Sequence, residues 1–189
     1  MLYIFSMGEH RVRNANDEQG AREFVRAMLD DIRALEVLIE QDLIECDRRR
    51  IGVEQELYIV DAQGYPAPLY DQVLEHVNDD RFTTELARFN LEANLAPWEL
   101  GGDFLRNMES QIEEVLALAN SAANTVGANI LMTGIIPTLR DEHVSSENLT
   151  PELRYQCLND TCIAARDGKF TLVIDGVDRF ESSYDSAVI

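Results

Sequence analysis

Lysine is almost missing from this chain. Lys169 is the only one among 16 basic side chains, which face 35 acidic ones, and the net charge is −19 at pH 7. Such a surface repels phosphate backbones and anionic headgroups, so neither nucleic acid nor membrane is expected as a partner. Cysteine is scarce as well. Cys46, Cys157 and Cys162 are odd in number and lack a CxxC spacing, which argues against a disulfide framework and for the cytoplasm. His10, His76 and His143 show no HxxxH-type spacing, so a histidine-built zinc site has no support. No apolar run reaches the roughly 18 residues that cross a bilayer. The opening MLYIFSM has no basic leader and no small-residue cleavage site, so it does not read as a signal peptide; Met1 and Met7 are equally good starts. No strand-like segment is followed by GxGxxG or GxxxxGKS/T, and the glycine-rich phosphate loops of doubly wound nucleotide-binding domains are therefore absent.

What is present is ordinary for a globular domain. The 189 residues are 46% apolar and 27% charged, enough for one real core. Residues 1–18 read as a flexible polar tail. Ala21, Val25, Met28, Ile32, Leu35, Leu38 and Ile39 then recur at spacings of three and four, which predicts a helix from Glu18 to Cys46, closed by the basic DRRR at 47–50. Ile51–Val60 favours a strand, 61–68 is turn chemistry, and 70–78 fits a short helix. Residues 82–97 read as one bulged strand or two short ones. Asp103 is an expected N-cap for a long helix to Val126, ended by Gly127. A buried strand is expected at 128–134, a helix from Pro151 to about Arg166 capped by Thr150, and a strand at 170–176. Trp98 reads as a core plug. There is no internal repeat. The order fits an α+β fold, a mainly antiparallel sheet with helices packed on one face.

The segment IGVEQELYIVD, 51–61, carries the first chemical signal. On a strand Glu54 and Glu56 point the same way, about 6–7 Å apart. Two carboxylates so placed repel each other. Either water screens them, on a strand with one wet face, or a cation sits between them. Gly52 beside them leaves room for a ligand. A second pair, Glu85 and Glu92, lies in TTELARFNLEAN. Their odd separation would put them on opposite faces of a flat strand, whereas a bulge or turn near Ala87–Asn90 would reunite them. Four carboxylates on adjacent strands make an oxygen-rich site of the kind hard ions such as Mg²⁺ prefer, and Mg²⁺ prefers to hold nucleotide phosphates.

GVEQELYIVD, TTELARFNLEANLAP, a long helix and ANILMTGIIPTLR, in that order, resemble the glutamate–cysteine ligase family, and within it the bacterial carboxylate–amine ligase branch. The resemblance runs from about residue 50 to 189 and covers only the N-terminal part of the family's domain. It implies a glutamine-synthetase-like sheet whose concave face holds Mg²⁺ and ATP, with Glu54, Glu56, Glu85 and Glu92 as metal ligands. It further implies Arg140 on the cofactor and Arg154 in catalysis. The implied reaction is ATP-dependent amide formation through an acyl phosphate, with glutamate and cysteine as the first expectation for substrates and glutathione biosynthesis as the setting. Residues 19–189 would then be the N-terminal portion of a catalytic domain, truncated at its C-terminus. The alternative expectation is a non-catalytic remnant, or one half of a split enzyme. The apolar segment at YDSAVI would pair with a complementary chain or a second copy.

Overall fold

Glu54 and Glu56 are exposed while Leu57 and Ile59 are fully buried, so this stretch has one wet face and one dry one. The computed structural model describes Val12 and residues 18–166 and 170–184. The rest of the expected tail, residues 167–169 and the terminal 185–189 lie outside the described residues. In chain order the elements are α1 (Glu18–Glu40), β1 (Arg50–Ile51), β2 (Glu54–Val60), α2 (Tyr70–Val77), β3 (Phe82–Thr84), β4 (Asn90–Asn94), β5 (Trp98–Glu99), α3 (Phe104–Thr125), β6 (Asn129–Leu131), α4 (Leu153–Ala164), β7 (Phe170–Asp175) and β8 (Arg179–Tyr184). Two short 3-10 turns, Asp141–His143 and Ser146–Asn148, precede α4. Among the described residues no helix is long and apolar enough to cross a membrane.

The central sheet has the order β3-β4-β2-β6 and every pairing in it is antiparallel. Helices α2 and α3 cover its dry face. Leu57, Ile59, Phe82, Leu91 and Ala93 from the strands pack with Val73 of α2 and with Val115, Ala119, Ala122 and Ala123 of α3. The alanines let α3 lie close to the sheet, and each large side chain buried there contributes about 1.5–3 kcal/mol. Arg81, just before β3, hydrogen-bonds Asp79 and Glu114, each at 2.8 Å, and so ties the sheet edge to α3. This is the expected α+β architecture with helices on one face.

Helix α3 ends as its sequence demands. Gly127 adopts φ +75°, Ala128 N–H bonds the Ala123 carbonyl at 3.0 Å and Gly127 N–H bonds that of Asn124 at 3.2 Å. These are the paired bonds of a Schellman cap, whose left-handed residue favours glycine. Gly127→Ala is expected to cost about 1 kcal/mol, read as a lower urea midpoint at unchanged slope.

Several expectations are corrected. Helix α1 stops at Glu40, short of Cys46, because Asp42 turns left-handed (φ +56°) and Leu43 N–H bonds back to the Leu38 carbonyl. The DRRR segment does not close it; Arg50 instead opens β1. Asp103 sits at the N-cap of α3 but makes no side-chain cap bond; its carboxylate lies 3.4 Å from Arg106. Thr150 is not a cap either. It is fully buried and donates its hydroxyl to the Glu85 carbonyl at 2.6 Å, and α4 begins only at Leu153. The strand expected at 128–134 shrinks to three residues at the sheet edge, none of them fully buried. Trp98 is half-buried and its indole N–H bonds Gln111 at 3.0 Å. The strand expected at 170–176 is present as β7 and forms a hairpin with β8; past Tyr184 the YDSAVI segment lies outside the described residues.

Candidate functional site

The register of β2 against β4 builds the site. Glu56 lies directly opposite Glu92, Glu54 opposite Asn94, and Tyr58 opposite Asn90. Thr83 of β3 flanks Glu92 on the other side. Leu57, Leu91 and Ala93, at the alternate positions, are buried under the helices, so strand alternation puts all of these polar groups on the opposite face. Directly opposed residues hold their Cβ atoms about 4.5–5.5 Å apart, and like charges there are destabilising. Asn94 eases part of the cost by donating its amide to Glu92 at 2.8 Å.

Glu85 joins this face through a turn. Asn90 N–H bonds the Ala87 carbonyl at 2.9 Å, which folds the chain back between β3 and β4. The segment is pinned on its far side, where Thr150 N–H bonds Leu86 and Arg88 N–H bonds Asn148, both at 2.8 Å. Ala87 and Phe89 anchor it in a second apolar cluster with Val60 and Ile136. Of the bulge or turn that could reunite Glu85 and Glu92 near Ala87–Asn90, the chain makes the turn. Burial lifts the Glu85 carboxyl above the usual glutamate range; Glu92 and Glu56 push it further, while the Leu86 N–H and Arg154 hold it back. Glu85 thus lies within electrostatic reach of two of the other glutamates. Burial and the neighbouring Glu56 raise the Tyr58 phenol. Among the described residues no three His, Cys, Asp or Glu side chains lie close enough to hold a metal ion between them. The arrangement is a facing pair with two carboxylates beside it, not a closed cage.

Arg154 stands next to Glu85. Its guanidinium bonds Thr84 Oγ1 at 3.2 Å, contacts the Tyr155 hydroxyl and lies over the Tyr155 ring with 4.4 Å to the centroid. Nε is 3.0 Å from Glu152 Oε2, but its N–H does not aim at that oxygen, so the contact is ionic and not a hydrogen bond. Tyr155 in turn donates to the Thr84 carbonyl at 3.0 Å. The start of α4 is thereby latched to the end of β3. Arg140 is elsewhere. It lies over Tyr65 and bonds its hydroxyl at 2.6 Å, in the loop beyond the far end of β2. Four strand residues, about 13 Å, separate Glu56 from that end. The structure gathers Glu56, Glu85, Glu92 and Arg154, sets Glu54 one pleat further along, and leaves Arg140 apart.

Two groups escaped the sequence reading. A cavity of about 450 Å³ opens beside this segment, lined by Arg88, Glu147, Thr150, Gln156 and Asp160 among others. Arg88 Nε is buried there with no hydrogen-bond partner, and among the described residues no carboxylate pairs with Arg88. Asn90 Oδ1, on the carboxylate face, is likewise buried without a partner. The signal was faint: an arginine and an asparagine alternating with the buried Ala87, Phe89 and Leu91.

A model of the glutamate–cysteine ligase family 2 matches residues 50–172, a span that holds all four glutamates and both arginines. Comparison with curated proteins and with solved structures gave no match.

Proposed function

The chain belongs to glutamate–cysteine ligase family 2, and from that premise we propose that its carboxylate face binds Mg²⁺ and ATP for carboxylate–amine ligation on a glutamine-synthetase-like sheet. The observation that carries the reading is the directly opposed Glu56–Glu92 pair, with half-buried Glu85 feeling both. Like charges directly opposed across a ladder repel, and a cation between them relieves that cost. The donor set suits Mg²⁺, which takes one or two carboxylates and keeps waters and phosphate oxygens for its remaining positions. Glu56 and Glu92 would supply the pair, with Glu54 and Glu85 at its margins. Bound there, the metal supplies charge neutralisation and alignment for phosphoryl transfer.

In the proposed reaction a carboxylate oxygen of one substrate attacks the γ-phosphorus of ATP, and ADP leaves. The amine of the second substrate then attacks the acyl carbon and loses a proton as phosphate departs. The chain's own part is to bind and orient. Arg154 is stacked on Tyr155 and bonded to Thr84, so its guanidinium is fixed before substrate arrives, as an anion-stabilising group must be. Arg140, held by Tyr65, would meet the nucleotide away from the metal. Arg88 would take a substrate carboxylate in the cavity, with Glu147 and Asp160 available to an ammonium. Glutamate and cysteine are the substrates first to be tried.

The test is calorimetric titration of ATP with and without Mg²⁺. Mg²⁺-dependent binding, lost in Glu56→Gln and Glu92→Gln, supports the site; binding that ignores both substitutions removes it. Arg88→Met is expected to weaken binding of glutamate about 10- to 100-fold, the worth of a charge-assisted hydrogen bond, and to leave Mg²⁺-ATP affinity unchanged. The exposed Leu172, Val173, Ile174, Val177 and Phe180 of the β7–β8 hairpin favour a second reading, in which further polypeptide must pack on this unit before it turns over. Mg²⁺-ATP binding without amide formation is the result that selects it.

A further inference from the structure

Helix α1 lies outside the family match and outside the core: none of its 23 residues is buried. Phe24, Met28, Ile32, Leu35, Leu38 and Ile39 are 41–66% exposed. A lone helix of this length is marginal in water, and an apolar strip of this size marks a contact surface. Its period identifies the kind of contact. Ala21, Val25, Met28, Ile32, Leu35 and Ile39 follow spacings of four and three without a break, the seam of a coiled coil over three heptads.

We infer that α1 pairs with α1 of a second copy of this chain, antiparallel, in a register that sets Met28 against Ile32. Val25 then meets Leu35 and Ala21 meets Ile39. The flanking positions complement each other in that register alone. Arg22 of each copy falls opposite Glu36 of the other and Phe24 opposite Leu38; at the two-fold axis Leu29 meets Leu29, and Asp31 meets Asp31 as the one like-charge contact. A parallel pair would instead set Asp31 against Glu36 twice, like charge against like, which destabilises such zippers. Net charge points the same way. The antiparallel pair puts the two strongly acidic bodies at opposite ends of a helix about 34 Å long, well beyond the ~8–10 Å range of charge at physiological salt. A parallel pair would set them side by side.

This inference is independent of the ligase reading, and its test separates the two. Sedimentation equilibrium of the full chain over micromolar concentrations is expected to show a dimer of the 21.4 kDa chain. Ile32→Glu with Leu35→Glu should give a folded monomer with unchanged Mg²⁺-ATP affinity. Arg22→Glu should weaken the dimer about tenfold or more, and adding Glu36→Arg should restore it. Those two residues lie 14 apart on one helix, too far to pair within a chain, so rescue reports the contact between copies. A monomer at every concentration overturns the inference, whether α1 then proves to pack on its own chain or on another protein. So does a dimer that survives the double glutamate substitution, or a charge reversal without rescue.

Discussion

Glu92→Gln is expected to weaken Mg²⁺-dependent nucleotide binding strongly and, at the same time, to make the metal-free protein slightly more stable. Both effects have one cause. Glu92 faces Glu56 directly across the β2–β4 ladder and also feels Glu85. Without a cation these charges repel, at a cost of order 0.2–1 kcal/mol for an opposed pair. Glutamine keeps the shape and can still accept the amide bond from Asn94, but it removes the repulsion. For a chain of this size that corresponds to a rise of about 0.4–4 °C in the thermal midpoint. If Glu92 holds the metal as proposed, the same change removes one anionic ligand, and affinity for Mg²⁺-ATP should fall about 100-fold, each tenfold being about 1.4 kcal/mol. Differential scanning fluorimetry with and without Mg²⁺ reads both. A lower midpoint with intact binding would mean that Glu92 is a structural residue.

Glu85 adds a pH dependence of definite sign. Its folded pKa lies above the usual glutamate value, so the native state binds a proton more tightly than the unfolded one. Below the unfolded value both states are protonated and no penalty exists. As pH rises through the window above that value, ionisation of Glu85 costs stability, and the penalty is complete above the folded pKa. Mg²⁺ bound at the proposed site would compete with that proton. Stabilisation by Mg²⁺ should therefore grow with rising pH through the same window, and Glu85→Gln should flatten the growth.

Leu57→Ala should destabilise the fold by about 2–5 kcal/mol, a large share of the roughly 5–15 kcal/mol available to a domain. Leu57 is fully buried and stands directly opposite Leu91, which is also fully buried. The cavity would open between the sheet and the alanine-rich stretch of α3, where Ala119 and Ala123 are too short to fill it. Urea unfolding measures the loss, and Leu91→Ala should be comparable. Because the two side chains touch one void, the double variant should cost less than the sum of the singles. A loss below 1 kcal/mol would show that α3 does not pack on this face as described.

The sequence by itself determined what depends on near neighbours. The period of two in 54–60 determined that Glu54 and Glu56 share a face. The stripe and Gly127 determined the length and the end of α3. The 3-4 spacing determined that α1 is a helix. Family membership was legible because the motifs come in order along the chain. Tertiary structure decided whatever depends on distant segments. Thr150 looked like a cap, yet the chain at Glu85, 65 positions away, claimed its hydroxyl. Both arginines were expected at the site, Arg140 on the cofactor and Arg154 in catalysis, yet only tertiary contacts set Arg154 against β3 and Arg140 against Tyr65. Arg88 gave only a faint local sign that, among the described residues, its guanidinium would have no carboxylate partner. Glu56 and Glu92 are 36 residues apart, and nothing near either one says that they meet. Their pairing is set by register. Register is fixed by burying Leu57 against Leu91 beneath α2 and α3, since a slip of one residue would drive the glutamates into the core.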